Sequence, residues 1–60
     1  MLTVHEFIEH GWAPPHLHER MLSLTQVRDS VVIITERHIW RARRDPITPI
    51  HFTVALIGHI

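Results

Sequence analysis

The chain of sixty residues has no cysteine, no lysine and no tyrosine, only two glycines, and no net charge. Each absence closes a route. Without cysteine there are no disulfides and no thiolate zinc sites to staple so short a domain. Without cysteine, lysine or tyrosine the inventory for nucleophilic catalysis is poor, and neither Ser23 nor Ser30, the only serines, stands in a nucleophile elbow. Gly11 and Gly58 are too few for a phosphate-cradling loop. A chain of this size also has little room for a substrate pocket of some few hundred Å³. The expectation is a protein that is not an enzyme and carries no cofactor. Long hydrophobic runs are missing as well. Residues 47–60 are apolar but interrupted by Pro49, His51 and His59, and fall short of the roughly 20 residues that span a bilayer. Met1 is followed by Thr3, His5 and Glu6, not by a basic stretch and an apolar core, so no signal peptide is read and the cytoplasm is the default location.

What is present concentrates in the second half. Val31-Val32-Ile33-Ile34 is β-branched throughout, which favours strand over helix. From residue 50 onward, Ile50, Phe52, Val54, Leu56 and Ile60 occupy even positions, the alternation of a strand with one buried face. Between the runs lies Arg41-Ala42-Arg43-Arg44-Asp45-Pro46-Ile47-Thr48-Pro49, too long for a two-residue turn and stiffened by its prolines. The pattern predicts an antiparallel β-hairpin with strands over residues 31–42 and 50–58. If Trp40 pairs near Phe52, the even faces of both strands coincide, and Arg37, Arg41 and Arg43 gather on the other face.

The first half reads as helical. Thr3-Val4-His5-Glu6 is a capping box, with Leu2 and Phe7 at the hydrophobic-staple positions and Gly11 at the C-terminal stop. These signals predict a helix over residues 4–10. Pro15 suits the first position of a second helix, and Leu17, Met21 and Leu24 follow at helical spacing, which predicts a helix over residues 15–28. The expected fold is α+β: two short helices packed on one C-terminal hairpin (α-α-β-β) in a single domain, residues 1–60, completed by dimerisation or by a partner. A chain of this length buries only about 60% of its extended surface, and a two-stranded hairpin is barely stable alone.

Seven histidines invite a metal reading. His5 and Glu9 stand at i,i+4 in the first helix, and His16 and His18 follow it. These four are the candidate ligands; the alternative, no metal and solvated histidines, is preferred. His5-Glu6-Phe7-Ile8-Glu9-His10 has one residue too many for the zinc-protease string, so its histidines diverge around the helix.

Every basic residue is arginine, the side chain best suited to carboxylate and phosphate contacts. Arg37, Arg41, Arg43 and Arg44, with Trp40 among them, form a basic arm and are the candidate partner-binding residues. Together with the surplus apolar surface they point to a small non-enzymatic protein that acts stoichiometrically. It would dock on another protein or on its own copy, a profile shared by small phage-encoded inhibitors of host proteins. The alternative is a winged-helix-like DNA-binding regulator, with residues 15–28 as recognition helix and the arginine arm on phosphates. Zero net charge and Glu19 at the start of that helix weigh against it.

Overall fold

The computed structural model of the chain describes residues 2–15, 18–48 and 50–60. One helix, α1 (Val4–His10), precedes four strands: β1 (Met21–Val27), β2 (Ser30–Thr35), β3 (His38–Arg44) and β4 (Phe52–His59). The strands form one antiparallel sheet in chain order. The expected α-α-β-β arrangement is therefore overturned. Within residues 15–28 the structure has strand β1, Met21–Val27, where a second helix was expected, and residues 31–42 fall in two strands rather than one.

Both departures have a local cause. Leu17, Met21 and Leu24 satisfy a helical period, but Leu22-Ser23-Leu24-Thr25 alternates with period two, and Thr25 and Val27 are β-branched. The ladder decides between them. With β1 in place, β2 is hydrogen-bonded on both sides and lies inside the sheet instead of at an edge. The split of the second stretch follows from parity. Val31 and Ile33 are odd, whereas Trp40 and Ala42 are even, and all four are buried in the same core. A continuous strand would send these two pairs to opposite faces. A two-residue turn at Glu36 and Arg37 reverses the phase, so that Ile33 pairs with Trp40 and Val31 with Ala42.

Helix α1 is closed at both ends by local chemistry. Thr3 is the N-cap, its hydroxyl accepting from the Glu6 amide at 3.2 Å, and Gly11 ends the helix at φ 72°, donating to the Ile8 carbonyl. The expected return bond from Glu6 is replaced: its carboxylate accepts from the Thr3 hydroxyl at 3.3 Å and binds the Arg44 guanidinium. Gln26 ties this helix to the sheet. Its amide nitrogen donates to the Leu2 carbonyl at 2.6 Å, with the Arg28 and Ser30 carbonyls also in reach. Its oxygen accepts from the amide of Val4, a first-turn donor with no partner inside the helix.

The core is Leu2, Phe7, Val31, Ile33, Trp40 and Ala42. Phe7 stacks at 5.7 Å on Trp12 and 5.3 Å on Phe52, and Trp12 meets Trp40 edge-on at 5.6 Å. Between β3 and β4 the even faces do coincide, but Trp40 pairs with Leu56 and Phe52 with Arg44. The anticipated Trp40–Phe52 neighbourhood is replaced by contacts of each ring with the N-terminal segment. A bulge at Ile57 in β4 and another at Leu22 in β1 interrupt the two outer ladders.

Candidate binding surface

All the core residues lie on one side of the sheet, under α1 and Trp12. Among the described residues no helix or strand packs against the other side. The pairing makes that open face a grid of three rows. Ser23, Ile34, Ile39 and Gly58 form one row; Thr25, Val32, Arg41 and Ala55 the next; Val27, Ser30, Arg43 and Thr53 the third. Ile34, Val32 and Ile39 are half-buried; Ile34 and Ile39 are direct cross-strand partners, and Val32 stands in the next row between Thr25 and Arg41. Arg41 donates through Nε to the Ser30 hydroxyl at 3.1 Å, and Arg43 is the cross-strand partner of Ser30. One guanidinium thus binds the buried Ser30 hydroxyl, and a second arginine stands opposite the same residue at that end of the face. Asp29, in the turn, accepts from that hydroxyl at 3.3 Å. The four strands themselves contain no aspartate or glutamate.

The five residues expected to form one basic arm are divided. Arg41 and Arg43 lie on the open face. Trp40 is in the core, and its indole N–H donates to the Thr35 hydroxyl at 3.0 Å. Arg44 is on the helix side, paired with Glu6. Arg37 is in the β2–β3 turn, its amide held at 2.8 Å by the Glu19 carboxylate. The division is the parity of a strand: neighbours in sequence face opposite ways.

A second polar place surrounds that turn. A cavity of about 340 Å³ is lined by His18, Glu19, Glu36, Arg37 and His38. The Glu19 side chain is only 5% exposed. It accepts from the Thr35 hydroxyl, from the Arg37 amide and from Nδ1 of His38 at 2.9 and 3.0 Å, which makes that nitrogen the protonated one. Thr35 above all, then His38 and the Arg37 amide, hold the Glu19 carboxyl down to about 2 against the opposing effect of burial. Glu36 latches the other end of the same segment, accepting from the Arg20 amide at 2.8 Å and donating its own N–H to the Arg20 carbonyl. Sequence reasoning placed Glu19 on a helix and missed its role. The available signal was a lone carboxylate ahead of a strand beside a Thr-x-x-His turn.

Of the candidate metal ligands, His5 and Glu9 form an exposed pair at 2.6 Å on α1, and His18 lines the cavity near Glu19. His16 lies outside the described residues. Among the described residues no three histidines or carboxylates come together as a metal site. No described helix is long and apolar enough to cross a membrane. With β1 where the recognition helix was expected, the winged-helix arrangement is not present. Comparison with protein-family models, with curated proteins and with solved structures finds no match to this chain.

Proposed function

We propose that this chain is a non-enzymatic binding protein that acts stoichiometrically, seating a protein partner on the uncovered face of its sheet. The observation that carries this reading is the open grid: Val32, Ile34 and Ile39 exposed to no other element, with Arg41 and Arg43 at one end. An apolar sheet face without a cover marks an association surface. Tryptophan and arginine are the usual interface anchors, but here Trp40 is committed to the core, so the contact rests on Arg41, Arg43 and the aliphatic rows. The cavity at the β2–β3 turn fits catalysis poorly. Glu19 has its oxygens occupied by three donors that lock the turn, an arrangement that rigidifies rather than reacts.

Site-specific photo-crosslinking in cells tests the proposal. A benzophenone side chain at Ile34 or Ile39 gives a discrete adduct with another protein, and the adduct is lost when Arg41→Glu and Arg43→Glu are introduced together. The same group at His5, on the exposed side of α1, gives none. Adducts from His5 alone would overturn the reading.

A further inference from the structure

We infer that the partner segment seated on the open face is an acidic amphipathic helix of another protein, with carboxylates over Arg41 and Arg43 and apolar side chains over Val32, Ile34 and Ile39. This rests on the open face being the docking surface, and adds the chemistry of its occupant.

Charge complementarity selects it. Arg41 donates to the Ser30 hydroxyl, Arg43 is the cross-strand partner of Ser30, and Asp29 in the turn accepts from that hydroxyl. Every other acidic residue lies off the face: Glu6 and Glu9 on α1, Glu19 and Glu36 around the β2–β3 turn, and Asp45 beyond β3, where it accepts from the Ile47 amide. The face therefore carries two strand arginines and no strand carboxylate, and a planar donor fork is matched by carboxylates on the partner.

The same distribution disfavours a second copy. Two open faces laid together would set arginine against arginine, or arginine against Ile34 and Ile39, because no acidic residue exists on the strands to receive it. A single-stranded nucleic acid fits less well. The face offers no aromatic ring for a base to stack on, since Phe52 and Trp40 point to the covered side, and one of its three rows has no charge at all. In size the grid suits a short helix. Four strands about 4.8 Å apart span roughly 15 Å, the length of about ten helical residues.

The test uses the full chain, ¹⁵N-labelled, and three probes: a 14-residue amphipathic peptide with glutamates flanking its apolar stripe, its lysine counterpart, and oligo(dT). The glutamate peptide shifts the amides of Val32, Ile34, Ile39, Arg41 and Ala55, and the lysine peptide binds about tenfold more weakly or not at all. In the Arg41→Glu/Arg43→Glu variant the preference inverts, so the lysine peptide becomes the tighter ligand; an amide spectrum that keeps its dispersion shows the variant folded. Equal binding of both peptides at these amides would overturn the inference and leave the docking surface standing. Tighter binding of oligo(dT) over the same amides would overturn it in favour of phosphate. Shifts confined to α1 and Trp12 would sink both readings.

Discussion

Gln26 is the residue on which the two halves of the fold meet. Its one side chain serves the Leu2 carbonyl, the Ser30 carbonyl and the first-turn amide of Val4. Truncation leaves partly buried backbone groups without a partner, which costs on the order of 1–3 kcal/mol. Gln26→Ala is therefore expected to lower the urea midpoint strongly for a surface-strand position, and to expose Leu2 and Val4 amides to hydrogen exchange ahead of the sheet. The neighbouring turn carries the opposite opportunity. Arg28 is the first central residue of a two-residue hairpin and sits at φ 56°, the only described non-glycine residue with positive φ. That pattern belongs to a turn that ordinarily takes glycine there. Arg28→Gly is expected to raise stability by about 0.5–1 kcal/mol, the relief of the left-handed backbone less glycine's greater chain entropy; thermal melting of the two proteins decides it. At this scale the sequence was readable where the interaction is local. Thr3 and Gly11 cap a helix through bonds to residues three apart. Gln26 was silent because its partners lie 24 and 22 residues away.

Among the elements, the β2–β3 turn is the one that arranges the rest. It contains neither glycine nor proline, only Glu36 and Arg37, and it is held from outside by Glu19. The Glu19 carboxyl is lowered from 4.5 to about 2 by Thr35, His38 and the Arg37 amide. A carboxyl depressed on folding contributes stability that is complete above its ordinary value and drains away as pH falls toward the folded value. The window is thus about pH 4.5 down to 2. Glu19→Gln is expected to lower stability at neutral pH and to flatten the loss across that window, measured as urea midpoints at pH 7, 4.5 and 2.5. Glu6, lowered by the Arg44 guanidinium, leaves a smaller acid slope in the variant. The turn also explains what the element-level reading got wrong. Residues 31–42 look like one long strand because nothing in Thr35-Glu36-Arg37-His38 is turn-like by composition. The legible sign was the change of phase: buried odd positions before the turn, buried even positions after it. Strand β1 was misread for a different reason. Leu24 satisfies two periods at once, a helical one with Met21 and a strand one with Leu22, and only the need of β2 for a second partner, a tertiary requirement, chooses between them.

For the molecule as a whole, the division of charge is the dominant feature. All six carboxylates lie in the helix, the turns and the loops, and the three strand arginines split between a helix-paired Arg44 and an outward Arg41 and Arg43. This was half-legible: the arginines are conspicuous in the sequence, but which of them stand together depends on a strand parity that the misplaced turn obscured. A salt series is the natural measurement, since contacts at Arg41 and Arg43 are screened over about 10 Å at 0.1 M ionic strength while those at Val32, Ile34 and Ile39 are not. Affinity for an acidic partner is expected to fall several-fold between 50 and 500 mM NaCl and then level off at the aliphatic remainder. The seven histidines, for all their number, occupy no position of the three-row grid. A guanidinium keeps its proton throughout the physiological range, and nothing else on that surface ionises there. If the open face docks an acidic partner as proposed, that contact is deaf to acidity and tuned to ionic strength, so its grip is loosened by changing the partner's carboxylates or the surrounding electrolyte, and not by a drop in pH.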